Sequence, residues 1–173
     1  MYNIPTSASM SYNKEQKSFG KSIIIFLITA ILISIIVFFI IFVKVYRIQG
    51  TSMNPTLEQG EYVFCLKTNK IERGDIIAFT GRDSFVIKRV IGLPGDIVDI
   101  SEDGTVSING TPLSEDYITN KAKGDVEIPL PYTVPKNSYF VLGDNRGDSL
   151  DSRHNNVGTL NIDEIICEVQ GVN

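Results

Sequence analysis

From Ile23 to Val43 the chain carries no charge, no proline and no glycine. That stretch limits the fold more than any other feature. As a helix rising about 1.5 Å per residue it reaches roughly 30 Å, the hydrocarbon thickness of a bilayer. Ile, Val and Phe lean towards strand in water. In lipid the backbone must satisfy its own hydrogen bonds, so a membrane helix is predicted over 22–43. A cleaved signal peptide has an apolar region of about 7–15 residues, followed by a pair of small residues. Here the run is longer and Lys44-Val45-Tyr46-Arg47 follows it, so an uncleaved anchor is expected.

The flanks set the rest of the plan. Lys14, Lys17 and Lys21 precede the stretch; Lys44 and Arg47 follow it. This slight excess favours an N-terminus in the cytoplasm, with the remainder outside the plasma membrane. Residues 1–21 have few apolar side chains and read as a disordered tail. Residues 44–173 suffice for one compact domain with its own core. With the three lysines and one glutamate of the tail set aside, they hold thirteen Lys and Arg against nineteen Asp and Glu, a formal charge of −6. No basic stripe is available to meet phosphates, which argues against nucleic acid as a partner. Cys65 and Cys167 each lie in an apolar run and read as two buried thiols, with a disulfide as the alternative in an oxidising compartment. Two lone cysteines without a histidine cluster do not make a zinc site, and no metal or cofactor is expected.

After the anchor, short apolar runs alternate with turn residues. Glu61 to Leu66, Asp75 to Thr80, Ser84 to Ile91, Asp96 to Ser101, Tyr139 to Leu142 and Ile165 to Val169 are predicted strands. Asp103-Gly104 predicts a hairpin through a primed turn, and Asn109-Gly110 a second turn. Residues 111–136 carry Pro112, Pro129, Pro131 and Pro135 and read as an irregular excursion from the β body. A single helical turn is expected near Asn161 to Ile165. The class is mainly β, with one N-terminal transmembrane helix.

Ser52 stands a few residues past the anchor, in Gly50-Thr51-Ser52-Met53-Asn54-Pro55-Thr56. A serine hydroxyl needs a base and an oxyanion site to act as a nucleophile. Asn54 precedes proline and is biased to extended backbone, and Pro55 ends or bends a strand. Such a bend can aim Ser52 into a cleft; equally, it can be an ordinary loop. Lys88 lies in Phe85-Val86-Ile87-Lys88-Arg89-Val90-Ile91-Gly92. Alternation places it on one face with Val86 and Val90. Burial there, with the Arg89 charge nearby, would lower its affinity for a proton into the range of a general base. The competing reading is a lysine guarding a sheet edge.

The run from Gly143 to Arg153 is dense in Asp, Asn, Arg and Ser. Calcium is one reading of Asp144, Asp148 and Asp151, but Arg146 occupies an acidic position of the EF-hand pattern and no Glu closes the loop. Interleaved Arg and Asp suit internal ion pairs better. Ser149 or Ser152 could then hold the lysine amine in line. His154, the only histidine, could formally join Asp151 or Asp144 in a Ser-His-Asp triad, but it sits in a polar, surface-like run.

Four segments in this order resemble the bacterial type I signal peptidases: the anchor with Gly50 to Leu57, then Arg73 to Phe79, Ile87 to Asp96, and Gly143 to Arg153. The resemblance implies a β-sheet, barrel-like catalytic ectodomain. It implies a membrane-bound serine endopeptidase that removes N-terminal signal peptides from exported preproteins through an acyl-enzyme. It implies Ser52 as nucleophile, Lys88 as general base and Ser149 as the serine orienting that lysine. Asp151 and Arg153 would form an ion pair beside the site, and Asp144 a supporting acid. The Ser52 N–H would hold the oxyanion. Some relatives add a hydroxyl two places earlier, where this chain has Gly50. Many carry Tyr two places before the lysine, where this chain has Val86. Ile48, Gly50, Met53, Leu57 and Ile87 would line the substrate pockets. The implied partners are signal peptides, membrane lipid and, as a candidate, the export machinery. The rival readings are a self-cleaving Ser-Lys repressor-type peptidase and a membrane-anchored binding module without catalysis.

Overall fold

The computed structural model describes residues 7–68, 70–81 and 85–171. They divide between Phe42 and Val43 into a helical unit and a β unit.

The helical unit is a single helix, α1, Ser7–Phe42. Its segment Gly20–Phe42 is long and apolar enough to cross a membrane. From Lys21 to Phe42 every side chain is exposed, so an apolar surface surrounds the helix on all sides. Water does not tolerate such a helix, whereas a bilayer does. The helix also runs back to Ser7, through residues whose composition suggested disorder. Pro5 is the last proline before it, and Ala8, Met10, Lys14, Glu15, Gln16 and Lys17 are good helix formers. Once the apolar stretch has nucleated the helix, extending it costs little.

The β unit contains β1 Val43–Arg47, β2 Tyr62–Leu66, β3 Ile76–Thr80, β4 Phe85–Gly92, β5 Ile97–Ile100, β6 Val106–Ile108, β7 Thr111–Pro112, β8 Tyr132–Thr133, β9 Ser138–Leu142, β10 Leu160–Asn161 and β11 Ile165–Gln170. The larger sheet has seven strands in the order β1-β2-β11-β3-β4-β9-β10, and the smaller has the order β7-β6-β5-β8. Strand β3 is buried on both faces. Ile76 and Ala78 join one core with Ile48, Met53, Leu57 and Val63. Ile77 and Phe79 join another with Val90, Val141 and Leu160. A third core ties the small sheet to β4 and β9 through Ile91, Val98, Val106, Phe140 and Leu142.

The expected strands are present within a residue or two of their predicted bounds; the predicted start of β4 at Ser84 lies outside the described residues. Asn109 and Gly110 both take positive φ, 53° and 80°, and close the tight β6–β7 hairpin as predicted. The Asp103-Gly104 turn differs. Only Gly104 takes positive φ, and Ser101 N donates to Thr105 O, so the β5–β6 connection is a longer loop. The Asp103 carboxylate accepts from the Ser101 hydroxyl and the Thr105 N–H, and so favours that loop over a two-residue turn. The helical turn near Asn161 is a 3₁₀ turn, Ile162–Glu164, closed by a capping box between Asn161 and Glu164.

Cys65 and Cys167 are not two thiols; they form a disulfide. The topology explains it. Strands β2 and β11 are neighbours, with Val169 opposite Cys65, and the two cysteine Cα atoms lie 5.5 Å apart. That distance is within disulfide reach.

Candidate active site

Ser52 sits in a tight turn after β1, where Asn54 N donates to Thr51 O and Leu57 N to Met53 O. Met53 and Leu57 anchor this turn in the core, and Ser52 stays half-buried between them and the cleft. Lys88 lies in the middle of β4, opposite Ile77 of β3. Its Nζ donates to Ser52 Oγ across 2.6 Å. The side chain is 3% exposed. Burial disfavours the ammonium and brings its pKa down to about 8, against the opposing pull of Asp151 and Asp144. The cation that assists is Arg153, not Arg89 as expected from the sequence. Arg89 points to the other face of the strand and is occupied by Asp144.

Two bidentate ion pairs stand beside the dyad. Arg153 Nε and Nη2 each donate to Asp151 at 2.8 Å. Arg153 holds the Asp151 carboxylate below its usual range, although burial pushes it up. Asp151 also accepts from Gly143 N at 3.0 Å, which fixes the end of β9 opposite Lys88. Arg89 Nε and Nη2 donate to Asp144 at 2.9 and 2.7 Å, and Thr56 Oγ1 donates to the same carboxylate. Arg89 also stacks on the Tyr117 ring, 3.9 Å from its centroid.

The Ser149 hydroxyl is buried without a well-formed hydrogen bond, although its dipole helps to hold Asp151 ionised. It packs against Gly143 and thereby beside the dyad. Ser152 does not serve the lysine: it accepts from Val141 N and donates to Gly158 O. His154 does not meet Ser52 either. Its Nδ1 accepts from Asp151 N, and its ring faces a depression lined by Lys123 to Leu130.

Gly143 directly follows β9 and leaves room for both Ser52 and Ser149; a glycine ending an apolar run is the cue for such close approach. Other site residues carry no individual signal in the sequence. Glu115 comes from the irregular excursion and forms a buried ion pair with Arg146, while Tyr117 donates to it. The turn bearing Ser52 is tied to the acidic loop at three further points. Thr51 Oγ1 donates to Asp148 at 2.6 Å, Asn145 N to Ser52 O at 3.0 Å and Asn145 Nδ2 to Thr51 O at 3.2 Å.

A cleft of about 720 Å³ opens over the dyad. Of the expected lining residues, Ile48, Gly50, Met53 and Ile87 face it. Leu57 does not; it is packed in the core beneath. Phe79, Phe85 and Leu150 supply further apolar wall, beyond the residues expected from the sequence. Along the cleft, β4 pairs with β3 from Phe85 to Arg89, but β9 pairs with it only from Arg89 onward. Among the described residues, one edge of β4 from Phe85 to Lys88 is therefore free.

A family model described as signal peptidase, peptidase S26, matches residues 18–172. The chain is 40% identical over 159 residues to signal peptidase I of Bacillus licheniformis, covering 83% of this chain and 82% of that one. It is 38% identical over 160 residues to signal peptidase I T of Bacillus subtilis (strain 168), with 85% and 79% covered. A crystal structure of a signal peptidase I from Enterococcus faecalis V583 covers 60% of this chain and 97% of its own, at 38% identity and a TM-score of 0.45. The class is that of the serine-type peptidases. The chain belongs to the signal peptidase family, peptidase S26.

Proposed function

We propose that this protein is a membrane-bound endopeptidase that removes signal peptides from exported preproteins, with Ser52 as nucleophile and Lys88 as general base. The observation that carries the reading is the 2.6 Å approach of a buried amine to a cleft hydroxyl. Neutral Lys88 takes the Ser52 proton as Oγ attacks the scissile carbonyl. The ammonium so formed gives that proton to the leaving amine, which departs with the C–N bond. The ester that remains is hydrolysed by a water that Lys88 deprotonates in turn, and Ser52 regains its proton. The Ser52 N–H makes no hydrogen bond among the described residues and is available to the oxyanion. Ser149, Asp151 and Arg153 hold the lysine's surroundings, and Asp144 holds Arg89. Ile48, Met53 and Ile87 narrow the cleft, which favours small side chains before the cut.

The substrate adds as an extended strand along the free edge of β4. α1 anchors the enzyme, with the N-terminus cytoplasmic and the β unit extracytoplasmic. Val45, Tyr62 and Phe64 are 55%, 68% and 59% exposed on the β1–β2 hairpin, which follows the anchor directly. They suit contact with lipid. Incubating the full-length protein with a precursor and sequencing the products by mass spectrometry tests the reading. Loss of cleavage in both Ser52→Ala and Lys88→Ala supports it. Near-normal turnover in either variant overturns it.

A further inference from the structure

Three carboxylates project their charge onto Lys88: Asp151, Asp144 and Asp148. The first is gripped by Arg153 and the second by Arg89, in both cases through two hydrogen bonds. Asp148 has no such guanidinium. It is exposed, and its carboxylate accepts from the neutral hydroxyl of Thr51 at 2.6 Å. Thr51 immediately precedes Ser52, and Asp148 immediately precedes Ser149. One hydrogen bond thus spans 97 positions of sequence to join the two loops that frame the dyad.

We propose that Asp148 is a positioning residue: its hydrogen bond to Thr51 fixes the turn that carries Ser52 against the loop that carries Ser149. The proposal rests on the Ser52–Lys88 reading above. Positioning follows from geometry. Asn145 grips the carbonyls of Thr51 and Ser52, but only Asp148 restrains the Thr51 side chain and so the rotation of this turn.

Four variants test it in the full-length enzyme, assayed on one precursor. Thr51→Val and Asp148→Ala remove the hydrogen bond. Thr51→Ser keeps the donor and Asp148→Asn keeps an acceptor oxygen. Thr51→Val and Asp148→Ala are expected to lower kcat about tenfold with little change in KM, the scale of one hydrogen bond to a charged group. Thr51→Ser and Asp148→Asn are expected to retain most of kcat. An unchanged kcat in Thr51→Val or Asp148→Ala, or a loss in Thr51→Ser as large as that in Thr51→Val, overturns the proposal. Activity surviving in Ser52→Ala or Lys88→Ala overturns the dyad instead, so the two failures are distinguishable.

Discussion

Gly143 faces Ser149 so closely that a methyl group on its Cα would overlap the Ser149 hydroxyl and lie 2.5 Å from the Ser52 carbonyl. The residue has no room to gain an atom, and everything it touches belongs to the site. Gly143→Ala must therefore displace the Ser52 turn or the Ser149 loop. A displacement near 1 Å at a reacting centre costs on the order of 10²-fold in rate. We expect kcat/KM to fall by about that factor while circular dichroism and the amount of protein in the membrane are unchanged.

Lys88 carries a cost beside its proposed role. Its pKa of about 8 in the folded chain lies below the 10.5 of the unfolded one. The unfolded state thus binds more protons between these values, and stability rises with pH from about 8 to 10.5. Below that window the full penalty is present, on the order of 3 kcal/mol. At neutral pH Lys88→Met is expected to raise the unfolding free energy by roughly 1–3 kcal/mol and to abolish cleavage. Denaturant melts at pH 7 and at pH 10 measure it, and the difference between variant and parent should shrink at the higher pH.

As the proposed general base, the same amine would set the pH–rate profile. Activity should climb as Lys88 loses its proton, with an acid limb near pH 8. Lys88→Arg should be inactive across the range, because a guanidinium keeps its charge. A limb near pH 6.5 with full activity in Lys88→Arg would contradict the assignment.

Glu115 and Arg146 form a buried pair with side chains about 1% exposed. Removing one partner leaves a charge uncompensated in the interior, at a typical cost of about 3–5 kcal/mol. Glu115→Ala should lower stability by that amount. Glu115→Ala combined with Arg146→Met should recover much of it, and thermal melts of the three variants decide.

The disulfide closes a loop spanning 102 positions. Cys65→Ala with Cys167→Ala should cost about 2–5 kcal/mol of stability. Chemical denaturation of parent and double variant gives the difference directly.

Some of this was legible in the chain. The helix showed as an uninterrupted uncharged run, and the strands as β-branched runs between turn residues. Asn109-Gly110 announced its hairpin because both residues tolerate positive φ. Asp103-Gly104 announced the β5–β6 hairpin as well but not its turn, since a side-chain carboxylate favours a longer loop there. The pairing of Cys65 with Cys167 depends on β2 lying beside β11, a neighbourhood that no local pattern encodes. Glu115 was hidden for a similar reason: a lone acid in an irregular stretch gives no sign of the arginine it will meet. Leu57 was assigned to the cleft because it follows the serine closely, yet the turn rotates it into the core. The approach of Lys88 to Ser52 came from the family resemblance. Residues alone left Lys88 balanced between base and edge guard.

Among the described residues, the margin of β4 between Phe85 and Lys88 is unpaired, and on the proposed reading this sets the timing of the cut. A partner taken up there must lie straight over several consecutive residues. A junction that has coiled into a helix, or has been packed into a finished domain, offers no such ribbon. If the proposal holds, cutting is confined to the interval between emergence of the junction and its folding, and haste on the partner's side becomes a form of resistance.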